Sequence, residues 1–351
     1  MGKRQIDVHR IEALRKELGF KDSGIFEKSV YALNLLSEVL RAYPGLVFKG
    51  GTSLLLYIYP PVRLSIDIDI LLPVAAKEGL FDRLARVAQD SQWFGDMEES
   101  VRKGKDIPKA HFKFPFKSHF SKIQQYVLLD VVFTEAPYGR LERKNLADTP
   151  MAFAESGGIV TVPTVNGLFG DKLTAMSPKT LGIPLVQDRA MEVMKQIIDL
   201  GSLFMVVDDV EELNRSFLKT VAVENGFRNS AYTNEDIFSD IWELAFRYSQ
   251  SRLRGGNNTF VEIELLIDGN AKVANHLRAR FNPDETKIAF ARIVYMISVL
   301  RRGDKAGLVK QVDMRAVEGY VIPEKYKVLE KLKVTVPEAY FYWAMAVGLP
   351  G

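Results

Sequence analysis

Two aspartates one residue apart, Asp67 and Asp69, lie in the run Arg63-Leu64-Ser65-Ile66-Asp67-Ile68-Asp69-Ile70-Leu71. If that run is a strand, its side chains alternate, so both carboxylates face one way and the isoleucines face a core. At a rise of about 3.3 Å per residue the two carboxylates stand about 7 Å apart. Oxygen ligands at that spacing can share hard divalent cations with substrate phosphates. Upstream, Lys49-Gly50-Gly51-Thr52-Ser53 follows the short apolar run Leu46-Val47-Phe48 and precedes a helix-like stretch. Glycines there let backbone N–H groups approach a phosphate closely. Arg63 and Ser65, just before the aspartates, are placed to orient the same phosphates or the strand itself. The competing reading is a tight turn and an edge strand with two solvated carboxylates. Isoleucines flanking both aspartates argue against it, because they imply a strand buried on its other face.

Phe48-Lys49-Gly50-Gly51-Thr52-Ser53-Leu54 followed by Arg63-Leu64-Ser65-Ile66-Asp67-Ile68-Asp69 resembles the polymerase β nucleotidyltransferase superfamily, and more narrowly the AbiEii/AbiGii toxins. The resemblance covers roughly residues 30 to 205. It implies an α/β fold, a polymerase β-like nucleotidyltransferase mixed sheet with a C-terminal helical domain. It also implies an enzyme that moves a nucleoside monophosphate from a nucleoside triphosphate to an acceptor hydroxyl, using Mg²⁺ or Mn²⁺. RNA, tRNA above all, is the implied acceptor, and a DNA-binding antitoxin the implied partner, often without direct contact. The family's third carboxylate falls on Asp130, within Val127-Leu128-Leu129-Asp130-Val131-Val132-Phe133. Asp67, Asp69 and Asp130 are then the metal ligands. The family's lysine-bearing helix matches Phe169-Gly170-Asp171-Lys172-Leu173-Thr174-Ala175 and gives Lys172 to the triphosphate. Its Arg-x-Lys-Asp-x-x-Asp-Leu motif gives Lys195 to the nucleotide and Asp199 to catalysis. Two departures stand out: Gln196 where aspartate is common, and Arg189 further upstream than the motif expects. Two other readings keep the same residues: a nucleotide-binding regulator without turnover, and transfer to a small molecule.

The elements that must position these groups can be read from periodicity. Apolar residues at helical spacing from Phe26 to Tyr43 end before Pro44-Gly45. Strands are expected at 46–49, 66–72, 110–116, 125–133 and 158–165, with helices near 52–58 and 77–91. Beyond Asn166 helical periodicity dominates, through 187–206, 208–224, 233–251, 257–275, 283–303 and 337–347. Within the first of these, Asp188, Glu192, Lys195 and Asp199 fall on one expected polar face. Ser177-Pro178-Lys179-Thr180-Leu181-Gly182-Ile183-Pro184 breaks helical continuity, so the expected domains are 1–176 and 187–351, and Arg252–Asn258 is a second loop.

Composition sets outer bounds. The 351 residues, 47% of them hydrophobic, suffice for two folded domains. A formal net charge of +3 makes no global demand for a nucleic-acid partner. Any such footprint must be local, and residues 102–122 supply one: Arg102, Lys103, Lys105, Lys109, Lys113, Lys117 and Lys122 against Asp106, with Phe112, Phe114, Phe116 and Phe120 interleaved. Such a strand suits an RNA backbone, its phenylalanines serving as core or as stacking platforms. Cysteine is absent, which excludes disulfides and thiolate metal sites, and four histidines show no zinc spacing. No apolar run has the length of a membrane span, and the expected location is the cytoplasm.

Overall fold

The computed structural model describes residues 4–100, 108–149, 151, 157–303 and 308–350, which divide into two compact units. The first comprises Met1–Thr164 with Asn275–Ala279, and the second Val165–Ala274 with Arg280–Gly351. The expected domain of residues 1–176 places the helix Val165–Ala175 with the sheet, whereas this helix clusters with the second unit.

The first unit is built on a mixed sheet of seven strands among the described residues: β1 Val47–Lys49, β2 Asp67–Leu72, β3 Glu98–Glu99, β4 Lys109–Phe116, β5 Gln125–Phe133, β6 Leu141–Asn145 and β7 Ile159–Pro163. Their order is β3-β4-β5-β2-β1-β7-β6. β2 runs parallel to β5 and antiparallel to β1, and β4 runs antiparallel to β5. Alternation splits the sheet cleanly. Phe48, Ile68, Ile70, Phe112, Phe114, Phe116, Val127, Leu129 and Val131 enter one core with Phe26, Val30, Leu33 and Leu36. The last four lie on a 20-residue helix, Ser23–Ala42, which follows α1 Val8–Glu17 as α2. Asp22 caps α2 by accepting from the Ile25 N–H at 2.8 Å. A short helix, α3 Gly50–Ser53, follows β1 directly, and α4 Leu80–Asp90 buries Leu84 and Ala88. The phenylalanines of β4 are therefore core: Phe116 contributes no nucleic-acid platform and stacks on Tyr31 at 4.0 Å between ring centroids.

The second unit is helical: α5 Val165–Ala175, α6 Ala190–Leu203, α7 Val210–Arg228, α8 Asn234–Gln250, α9 Val261–Val273, α10 Pro283–Arg302, α11 Leu332–Thr335 and α12 Pro337–Val347. A two-stranded ribbon of Tyr320–Val321 and Leu349–Pro350 accompanies them. α5 and α7 approach so closely that a Cβ on Gly170 would lie 2.8 Å from the Phe217 backbone nitrogen. α10 starts on an Asn282/Glu285 capping box with Pro283 in its first turn, and ends at Gly303.

Elements that periodicity did not reveal include α1, β3, the two-stranded ribbon and β6. β6 reads Leu-Glu-Arg-Lys-Asn, is half-buried or exposed throughout, and owes its existence to pairing with β7. The segment Asn275–Ala279 returns to the first unit, donating the Arg278 N–H to the Val62 carbonyl at 3.1 Å and accepting the Leu64 N–H at the His276 carbonyl at 2.8 Å.

Candidate active site

The polar face of the sheet follows from register. Asp67 and Asp69 alternate with buried Ile68 and Ile70, so both carboxylates emerge half-buried on the side away from the core. Asp69 pairs in register with Asp130 of β5, and Asp130 with His111 of β4. Three carboxylates thus share one face, Asp69 and Asp130 on neighbouring strands. His111 Nδ1 lies 2.6 Å from Asp130 Oδ1, which fixes the orientation of that carboxylate. His111 was not singled out by its spacing. The signal was available, because buried Phe112 and Phe114 put residue 111 on the opposite face, beside residue 113.

The glycine pair meets this face directly. Lys49 pairs with Asp69 in the β1–β2 ladder, and the chain then turns into α3 at Gly50 with φ +80°. A Cβ at Gly50 would lie 2.0 Å from Asp69 Oδ2, so only glycine fits both the backbone and the carboxylate beside it. At Gly51 a Cβ would lie 2.5 Å from Arg63 Nη2 and 2.9 Å from Ser65 Oγ. Arg63 is buried, donates Nη1 to the Leu64 carbonyl at 3.1 Å and forms a β-bridge with Leu277. The expected phosphate cradle differs in detail. Thr52 and Ser53 are buried, and their hydroxyls donate inward, Thr52 to the Asp67 carbonyl at 2.5 Å and Ser53 to the Gly50 carbonyl at 2.8 Å. Those hydroxyls lock α3 to β2. Around the glycine backbone stand Lys49, Ser65 and the buried Arg63.

One cation near the carboxylates has no counterpart in the motif. Lys28 of α2 interacts electrostatically with Asp67; burial pushes its ammonium below the usual lysine range, and the carboxylate acts the other way. A single lysine inside the apolar run Phe26–Leu40 was the sequence signal.

The remaining predicted residues gather in the second unit. Lys172 of α5, 5% exposed, donates to Asp199 Oδ2 at 2.7 Å and to Gln196 Oε1 at 3.2 Å. Asp199 of α6 is 2% exposed. Gln196 therefore fills the place where the motif expects aspartate by accepting from the same ammonium. Lys195 is half-buried and also engaged. Of the expected polar stripe, Glu192, Lys195 and Asp199 share a face of α6 while Asp188 precedes the helix; Glu192 pairs at the surface with Arg189 at 2.6 Å and Asp199 is buried.

All three carboxylates offer the oxygen that a hard cation takes, but among the described residues no three His, Cys, Asp or Glu side chains are grouped so as to hold a metal ion by themselves. Magnesium is commonly held by one or two carboxylates completed by water and substrate phosphates. Of the basic stretch, Arg102, Lys103, Lys105 and Asp106 lie outside the described residues; Lys109, Lys117 and Lys122 are exposed, and Lys113 shares the face of His111.

Two solved structures resemble the chain. JHP933 from Helicobacter pylori aligns with a TM-score of 0.44 and 13% identity, covering 79% of this chain and 95% of that one. A protein described as a candidate nucleotidyltransferase from H. pylori aligns with a TM-score of 0.28 and 16% identity, covering 66% and 91% respectively. No curated relative matches the chain. Among the described residues no helix is long and apolar enough to cross a membrane. The family model described as "Nucleotidyl transferase AbiEii toxin, Type IV TA system" matches residues 36–275, more than half of the sequence and, Lys28 apart, both residue clusters above, so the chain belongs to the AbiEii nucleotidyltransferase toxins.

Proposed function

We propose that this toxin-type nucleotidyltransferase transfers a nucleoside monophosphate from a nucleoside triphosphate to a hydroxyl of RNA, tRNA in particular, in the cytoplasm. The observation that carries the reading is that three carboxylates share one sheet face and that the Gly50-Gly51 turn lies against one of them, Asp69. The acceptor oxygen attacks the α-phosphorus, the bond between the α-phosphorus and its bridging oxygen breaks, and pyrophosphate leaves. Asp67 and Asp69, with Asp130, would hold Mg²⁺ or Mn²⁺, which supplies charge neutralisation for the triphosphate and acidifies the attacking hydroxyl. Asp130, steadied by His111, is placed to take the hydroxyl proton. The backbone N–H groups of the glycine turn, with Lys49, Arg63 and Ser65, orient phosphate oxygens. Lys172, Asp199 and Lys195 enter on the resemblance alone: Lys172 as the triphosphate's cation, Asp199 as the carboxylate that holds it, Lys195 as a second nucleotide contact. Membership of the type IV family supports a cognate antitoxin as functional partner.

The test is incubation of the protein with Mg²⁺, total RNA and each α-labelled nucleoside triphosphate, beside the Asp67→Ala variant. Label entering a discrete RNA band only with the wild type is the expected result. Label entering a small molecule would replace RNA as acceptor, and nucleotide binding without label transfer would favour a non-catalytic regulator.

A further inference from the structure

Tyr126 begins the polar-face series Tyr126, Leu128, Asp130 on β5, and its ring is 39% exposed. Two ammonium groups converge on it: Lys28 Nζ from α2 at 4.8 Å from the ring centroid and Lys113 Nζ from β4 at 5.0 Å. Among the described residues neither lysine closes an ion pair; Glu98 stands opposite Lys113 in the β3 register without one, and Asp67 is the acidic group coupled to Lys28. Two ammonium groups, with Asp67 and Glu98 as the nearby carboxylates, thus stand against an exposed aromatic face. That combination suits a single-stranded nucleotide, with phosphate to the lysines and base on the ring.

The strand order separates these residues from the glycine turn. The glycine turn follows β1, on one side of β2, whereas Tyr126 and Lys113 lie on β5 and β4, on the other. Leu128 is the register partner of Asp67, so Tyr126 stands two residues, about 7 Å, along the strand from that level. The geometry points to Lys28, Tyr126 and Lys113 as the subsite that holds the nucleotide of the RNA acceptor on the flank of the carboxylates opposite the glycine turn. The inference rests on the RNA-acceptor reading and adds the residues that would select an RNA end.

The experiment measures binding rather than transfer, so it does not depend on turnover. In an Asp69→Asn background, a fluorescent single-stranded RNA oligonucleotide is titrated by anisotropy over a range of salt, and binding of each nucleoside triphosphate is measured alongside. Tyr126→Ala weakens RNA binding about tenfold or more, while Tyr126→Phe, which keeps the ring, leaves it within about twofold. Lys28→Met and Lys113→Met each lower the salt slope by about 0.7, the single-strand value for one phosphate contact. Triphosphate affinity stays unchanged in the Tyr126 and Lys113 variants. Unchanged RNA affinity and salt slope would overturn the subsite, as would a loss confined to the triphosphate. RNA binding lost only in Tyr126→Ala sustains the subsite even if no label is ever transferred to RNA. A wild-type protein that transfers label to a small molecule and does not bind RNA would overturn both readings.

Discussion

Asp67 and Asp69 sit half-buried on the open face of a strand, whereas Asp199 is 2% exposed and held by the buried ammonium of Lys172. Both arrangements place carboxylates among apolar residues, but they stand in different relation to the fold. On the sheet, the period of two turns every charge outward and leaves Ile68 and Ile70 to the core, so the acid groups can be changed without disturbing packing. Among the helices the two charges depend on each other, because a buried ion left alone is far more costly than the pair. The sheet site is therefore an open chemical surface, and the helical pair is first of all a part of its unit.

The comparison is broken most severely at the aspartates. Asp67→Asn or Asp69→Asn should reduce label transfer by on the order of 10³-fold, the scale for removing a group that stabilises transition-state charge. Stability should change by no more than about 1 kcal/mol in a thermal melt, as for substitutions that open no cavity and strand no buried charge. Loss of the cooperative melt would show the strand to be structural and void the contrast. Asp199→Ala should cost about 3–5 kcal/mol by leaving Lys172 buried and unpaired. Pairing Asp199→Leu with Lys172→Met should restore most of that, measured by urea unfolding. Full transfer activity in the restored double variant would remove Lys172 and Asp199 from the proposed chemistry.

Gly50→Ala tests how tightly the turn and the carboxylate are joined. Its Cβ would meet Asp69 Oδ2 at 2.0 Å on a backbone of φ +80°, so either the turn or the carboxylate must shift. Transfer should fall about 10²-fold, the cost of displacing a reacting group by about an ångström. Stability should fall by about 1–3 kcal/mol, the scale of a strained backbone position. Transfer at the wild-type rate would separate the glycine turn from the site.

The smallest effect sharpens the comparison inside the sheet unit, where one acid is buried. Glu27 of α2 accepts from Ser118 Oγ and from the His119 N–H, and burial raises its carboxyl above the ordinary value of 4.5 in spite of those bonds. A raised pKa contributes stability that is fully present below pH 4.5 and is lost as pH rises through the folded-state value. The wild type should therefore lose Tm relative to Glu27→Gln across that window. Parallel melting profiles of the two proteins would show that Glu27 is not desolvated as its position indicates.

Much of this was legible before any coordinates. The Asp-x-Asp strand, the glycine turn and the helical second half follow from short-range periodicity and motif order, because a strand or helix writes its buried face into nearby residues, and Asp130 follows from the resemblance to the family. Other features depended on long-range pairing. Strand register placed His111 against Asp130, 19 positions away, and the packing of α2 brought Lys28 near Asp67. Strand addition made β6 from a polar pentapeptide, and backbone hydrogen bonds brought Asn275–Ala279 to the segment before β2. The sequence by itself determined which groups are present and which way each faces along its own element. Only the tertiary structure decided which of them meet, and that Thr52 and Ser53 spend their hydroxyls on backbone carbonyls. Side-chain direction is a local property, whereas satisfying a buried donor depends on whatever the fold brings beside it.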